Sequence, residues 1–246
     1  MSIPKIIHYC WFGGGAISPE NRKCMESWKE YCPDYKIMAW NEQNFDISTN
    51  RYAQQAYEAK KYAFVSDYVR LAVLYEYGGI YLDTDVELVR PLDELLELPG
   101  FMGFQTNNEV ATGLGFGARK GNSVVQALLR DYDALDFLKA DGSADLTPCP
   151  ERNTRVLQAL GVRKDGTRQS IAEMEIFPAE YFCPMDLYSR KLRVTPKTYS
   201  IHRYAESWKP KPSAVSRILQ RLLKKHYYTW YCPLRGRIEG RLRKRT

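Results

Sequence analysis

The sequence predicts an α/β fold built on a mostly parallel sheet with both faces covered. Three observations carry that expectation. Short apolar runs of strand length alternate with longer segments of helical periodicity. Glycines punctuate the changes from one to the other. The chain has 246 residues, 44% of them hydrophobic, enough to bury a full core as one large domain or one and a half small ones.

In order, Ile3 to Phe12 reads as a buried strand running into the glycine turn Gly13-Gly14-Gly15. It carries one Lys, has His8 in its apolar stretch and lacks a small-x-small cleavage site, so it is expected to be structure and not a secretory signal. Ser18 precedes a helix over Pro19 to Tyr31, and Tyr35 to Trp40 forms a short strand. From Ala53 to Tyr77 the spacing of Phe64, Tyr68, Leu71, Ala72 and Tyr75 is helical, and Gly78-Gly79 ends the helix. A strand over Ile80 to Leu82 follows directly. Further strands are expected at Gly100 to Gln105 and Leu114 to Arg119, with helices at Ser123 to Leu138 and Asn153 to Leu160.

Composition narrows the class. No apolar run approaches the roughly 18 residues that span a bilayer, and the 13% aromatic content argues against disorder. Six cysteines form no CxxC pair and read as reduced thiols of a cytosolic protein. The net charge of +7 is unevenly spread: from Lys209 onward twelve Lys or Arg face the single acid Glu239, giving this extension +11 and the body −4. The expected organisation is therefore a body over 1–208 and a basic amphipathic extension over 209–246. There Val215, Ile218, Leu219, Leu222 and Leu223 recur at helical spacing opposite Arg217, Arg221, Lys224 and Lys225, a pattern suited to the surface of an anionic membrane. No nucleic-acid-binding motif accompanies the basic residues.

The chemistry centres on Asp83-Thr84-Asp85 at the carboxyl end of the Ile80–Leu82 strand, where open α/β sheets place ligands. Side chains at i and i+2 along a strand point the same way, so Asp83 and Asp85 can converge as hard oxygen donors for Mg²⁺ or Mn²⁺. On the preceding helix Asp67 and Arg70 share a face at i and i+3, either as a surface ion pair or as part of a pocket.

Four stretches in order then bring a family into view. Ser66-Asp67-Tyr68-Val69-Arg70 followed by Leu74-Tyr75-Glu76-Tyr77-Gly78-Gly79-Ile80-Tyr81-Leu82-Asp83-Thr84-Asp85 resembles the central block of glycosyltransferase family 32. The start, Ile3-Pro4-Lys5-Ile6-Ile7-His8-Tyr9-Cys10-Trp11-Phe12-Gly13-Gly14, is similar to the family's own, as are Trp28, Pro33 to Tyr35 and Trp40-Asn41-Glu42. His202 with Ser207-Trp208 resembles its closing signature.

The resemblance implies a GT-A fold, with a Rossmann-like nucleotide-binding half on a mixed, mostly parallel central sheet, and a metal-dependent transferase that retains anomeric configuration. It implies that Trp11 stacks on the donor base, and that Ser66, Asp67, Arg70, Tyr81, Asp83 and Thr84 line the donor, with Asp67, Arg70, Asp83 and Asp85 as the catalytic set. Asp83, Asp85 and His202 would hold Mn²⁺ or Mg²⁺, and Ser207 and Trp208 the diphosphate. An Asn common near the reaction centre of relatives has no direct counterpart, which leaves Thr112 or the upstream Asn108 for that place.

The expected substrates are a nucleotide-sugar, UDP-linked in preference to the GDP-mannose of yeast members, and a saccharide acceptor, in one form lipid-linked, for surface polysaccharide biosynthesis. The expected location is the cytoplasmic face of the membrane, as a peripheral protein. A non-catalytic, membrane-associated binding protein retaining the fold is the alternative. A phosphatase of the haloacid dehalogenase type is disfavoured, because Glu87 stands where such enzymes need Thr or Val.

Overall fold

The computed structural model describes residues 2–186 and 189–205, so the basic extension and Ser207-Trp208 lie outside the described residues. The elements are β1 (Ile6–Cys10), α1 (Pro19–Tyr31), β2 (Lys36–Trp40), α2 (Arg51–Glu58), α3 (Tyr62–Tyr77), β3 (Gly79–Tyr81), β4 (Val86–Leu88) and β5 (Gly100–Phe104). There follow β6 (Val110–Ala111), β7 (Phe116–Ala118), α4 (Ser123–Asp133), α5 (Cys149–Ala159), β8 (Gln169–Ile171), β9 (Met174–Phe177), α6 (Ala179–Phe182) and β10 (Ser200–His202).

Local chemistry explains most boundaries. The Ser18 hydroxyl caps α1 by accepting from the Asn21 amide, with Pro19 in the first turn. Gly78 stops α3, and Gly79 at φ 109° has to be glycine: a Cβ there would lie 2.8 Å from the Ile6 carbonyl oxygen. The single helix expected from Ala53 to Tyr77 is two. Lys60 takes a left-handed φ of 57°, and the Lys61 amide donates back to the Ala56 carbonyl, ending α2 without any Gly or Pro to announce it. α5 starts at Cys149, four residues ahead of expectation, because Pro148 and Pro150 suit a first turn that needs no amide donors.

The main sheet has eight strands in the order β2-β1-β3-β7-β5-β9-β8, with β6 paired to β5. It is mixed, as the resemblance implies, but not mostly parallel. Only β1–β2, β1–β3 and β5–β9 are parallel, whereas β3–β7, β5–β7, β5–β6 and β8–β9 are antiparallel. Parallel pairing needs a crossover; the five residues between β5 and β6 and the two between β8 and β9 permit only hairpins. A second, two-stranded sheet pairs β4 with β10.

Both faces are covered, as expected. Alternation along each strand divides its side chains between two cores. Ile80, Leu82 and Phe101 join Trp28 of α1 and Phe182 of α6, while Tyr81, Met102 and Phe104 join Tyr52, Val65, Val69 and Tyr132 from α2, α3 and α4. Five of the cysteines are free and buried, none paired among the described residues.

Candidate active site

The site forms where the sheet changes direction. β3 runs parallel to β1 and antiparallel to β7, so the segment leading into β7 lies beside the end of β3. The Asp83 amide donates to the Gly113 carbonyl at 3.1 Å. A Cβ on Gly113 would overlap Asp83 Oδ2, so the missing side chain is what gives that carboxylate its room. Asp83 Oδ1 accepts from the Tyr81 hydroxyl at 2.9 Å and from Arg70 Nη2 at 3.1 Å, which fixes the carboxylate's orientation.

Asp85 is held by the other sheet. β10 pairs with β4 in the register His202↔Val86, which carries His202 to the residue after Asp85. His202 Nε2 stands 3.3 Å from Asp85 Oδ1, and the Ala205 amide donates to Asp85 Oδ2 at 2.8 Å. Burial opposes ionisation of Asp85, yet the His202 imidazole and that amide hold its carboxyl down at about 2. Burial opposes the charged form of His202 too, but the Asp85 carboxylate outweighs it and raises the imidazole.

Ligand atoms of Asp83, Asp85 and His202 all lie within 4.8 Å of one another. Two carboxylates and an imidazole form a donor set suited to Mn²⁺ or Mg²⁺. His202 Nδ1 is buried without a partner among the described residues. The residues present therefore fit the divalent cation expected from the sequence.

Arg70 organises the wall beside this group. It is 5% exposed, and its Nη2 also reaches Asp67 Oδ1 at 3.1 Å, so one guanidinium ties Asp67 to Asp83. Burial pushes the Asp67 carboxyl up to about 6 against the pull of Arg70. The pairing of Asp67 and Arg70 at i and i+3 is thus an interior one, and not a solvated surface bridge.

The remaining residues named from the sequence fall into two groups. Thr112, fully buried, accepts from Arg70 Nη1 at 3.4 Å and so belongs to the site's wall. Trp11, partly exposed, follows β1, and its indole donates to the Gly15 carbonyl at 2.5 Å. Ser66 lies on α3 one residue before Asp67, its hydroxyl donating to the Tyr62 carbonyl. Tyr81 is buried, with its hydroxyl on Asp83.

Two of the named residues have other protein contacts. Thr84 is buried, and its hydroxyl accepts from Asn21 Nδ2 of α1 at 2.9 Å, which ties the loop to α1. Asn108 sits at the β5–β6 turn with φ 60°, its carboxamide against Gly166, and among the described residues no contact joins it to Arg70 or Asp83. Sequence reading passed over Gly113, Ala205 and, of the α1 residues that grip this loop, Asn21 and Ser27; Trp28 was matched to the family but given no role. Besides Asn21, Trp28 Nε1 donates to the Val86 carbonyl and the Leu88 amide donates to Ser27 Oγ. None of these carries a side-chain chemistry that marks it in advance.

Residues 18–101, which include Asp67, Arg70, Asp83 and Asp85, match the family described as the glycosyltransferase sugar-binding region containing a DXD motif. It is 29% identical over 151 residues to inositol phosphoceramide mannosyltransferase 3 of Schizosaccharomyces pombe, a match covering 55% of this chain and 39% of that protein. The chain thus spans about two fifths of that relative's length. An uncharacterized glycosyltransferase, L373, of Acanthamoeba polyphaga mimivirus is 25% identical over 85% of this chain and 84% of its own. Among solved structures, the PaToxG glycosyltransferase aligns with a TM-score of 0.48 at 21% identity, covering 64% of this chain and 69% of that one.

Proposed function

We propose that this chain is a GT-A-type glycosyltransferase that moves a sugar from a nucleotide diphosphate donor to a saccharide acceptor with retention of configuration. The observation that carries the reading is the convergence of Asp83, Asp85 and His202 at the strand end, with the Asp67–Arg70 pair beside them. Asp83, Asp85 and His202 would hold the divalent cation. When bound, that cation supplies positive charge for a diphosphate leaving group, which becomes more negative as the glycosidic bond breaks.

The chain's own residues do the rest. Tyr81 and Arg70 fix the Asp83 carboxylate before any ligand arrives, so little reorganisation is left for the reaction itself. Arg70, a buried cation, and Asp67, a buried acceptor, offer the hydroxyls of the transferred sugar one donor and one acceptor in fixed positions. Trp11, Ser66, Ser207 and Trp208 are proposed for the nucleotide and diphosphate on the strength of the family resemblance, the last two lying outside the described residues. Of the two candidates for the reaction centre, Thr112 is proposed, supported by its contact with Arg70.

For the donor we favour a UDP-sugar. The fission-yeast relative is named a mannosyltransferase, so GDP-mannose is the competitor that a donor screen has to include. A polysaccharide or lipid-linked acceptor and a peripheral location on the cytoplasmic face complete the proposal. The test is hydrolysis of UDP- and GDP-sugars by the purified chain with Mn²⁺. Asp85→Ala should lower turnover by at least about a hundredfold, the scale of losing one electrostatic anchor of the transition state, with an unchanged circular dichroism spectrum. A folded Asp85→Ala protein with normal turnover, or full activity in excess chelator, would overturn the metal-dependent reading.

A further inference from the structure

Behind Arg70 lies a group of buried side chains that the proposed reaction has not used. Cys149 and Asn153 stand on the first turns of α5, and Thr112 precedes Gly113; Asn153 is 1% exposed and Thr112 0%. Their hydrogen bonds assign one another. Arg70 Nη1 and Asn153 Nδ2 lie 3.4 and 3.1 Å from Thr112 Oγ1, and both can only donate, so they occupy its two lone pairs. The Thr112 hydroxyl hydrogen is then left for Cys149 Sγ, 3.3 Å away.

Cys149 Sγ also accepts from Asn153 Nδ2 at 3.1 Å and faces Arg70 Nη1 at 3.6 Å. With donors on three sides of the sulfur, the S–H is directed to its remaining partner, the Asp67 carboxylate. Burial pushes the thiol up to about 12, so that proton stays on sulfur at neutral pH. α5 is itself anchored: Arg152 pairs with Asp145 at 2.9 Å, between the rings of Tyr52 and Tyr132 at 5.6 and 5.7 Å. Asn153 Oδ1, buried with no partner among the described residues, is a cost this arrangement carries to keep Nδ2 on Thr112 and Cys149.

We propose that Cys149 and Asn153 are positioning residues for sugar transfer: from α5 they lock the Asp67–Arg70 pair in the orientation that meets the donor sugar, while Asp83 keeps its own tie to Tyr81. This rests on the glycosyltransferase reading above. It assigns the two residues an effect on the pair proposed to meet the transferred sugar.

The test uses the full chain with Mn²⁺, measuring hydrolysis of UDP-glucose, UDP-N-acetylglucosamine and GDP-mannose together with calorimetric binding of UDP and GDP. Cys149→Ala should lower kcat for whichever sugar nucleotide the unaltered chain hydrolyses by roughly tenfold, the scale of one buried polar group left unpartnered. Affinity for the free nucleotide should stay within about twofold, since the diphosphate and base contacts are untouched. Cys149→Ser should recover most of the loss, because a hydroxyl can donate and accept in the same place. Asn153→Ala should reproduce the split without altering the thiol, and the double variant should lose less than the product of the single losses, as expected within one network. The proposal is wrong if the alanine variants turn over normally, if nucleotide affinity falls as far as turnover, or if serine rescues nothing. An unaltered chain that neither hydrolyses nor binds any of these compounds overturns the parent reading, and this one with it.

Discussion

At the scale of single residues, one histidine of the family-like stretches is satisfied entirely by protein. His8, in the opening stretch that resembles the family's, is fully buried; its Nε2 donates to the Gly78 carbonyl at 2.9 Å, and its Nδ1 accepts from the Trp40 indole at 3.0 Å. It is a structural tie between β1, β2 and the turn before β3, and not a ligand. Burial lowers its imidazole to about 4 from 6.5. The neutral ring is therefore the native form, and its contribution is present above pH 6.5 and is lost as pH falls toward 4, where the unfolded chain has taken up a proton that the folded chain refuses. Over that window the unaltered chain should lose about 3 kcal/mol of stability relative to His8→Gln. Urea denaturation of both proteins at pH 7 and pH 4 measures the difference, and a constant gap between them would mean that His8 is charged or solvated in the fold.

At the scale of elements, the site depends on three segments held against one strand end. α1 grips the loop from Thr84 to Leu88 through Asn21, Trp28 and Ser27. β10 brings His202 to β4, and the segment before β7 lays Gly113 against Asp83. Gly113 gives the sharpest test of this packing. In Gly113→Ala the new methyl occupies the space of the Asp83 carboxylate, which would have to swing off Arg70 and Tyr81. We expect Mn²⁺-dependent UDP binding to weaken by at least about tenfold, with stability falling by about 1–3 kcal/mol, as for other overpacked sites. Undiminished Mn²⁺-dependent binding by this variant would show that Asp83 does not hold the cation. The elements also show why the sequence misplaced α2, α3 and the start of α5. A helix can end on Lys60 in a left-handed turn with no glycine, and periodicity continues across such a break because both halves face the same core.

At the scale of the molecule, a mildly acidic body bears a strongly basic extension. Among the described residues no helix is long and apolar enough to cross a membrane. Attraction of the extension to anionic lipid is proposed as the way enzyme and lipid-linked acceptor meet on one surface. Truncation after Pro212 should leave nucleotide-sugar hydrolysis within about twofold but abolish cosedimentation with phosphatidylserine vesicles at low salt, and high salt should release the full chain. Equal vesicle binding by both proteins would refute the membrane role. The alternation of strands and helices, the strand-end carboxylates and the Asp67–Arg70 spacing were all legible in the chain, because they follow from local periodicity and from residue types a few positions apart. The approach of His202 to Asp85 across 117 positions was expected from the family resemblance alone, and the antiparallel half of the sheet and the packing of Cys149 and Asn153 behind Arg70 were not legible. Those are settled by which strands pair and how α5 packs, and such long-range contacts leave no periodic trace in the order of residues.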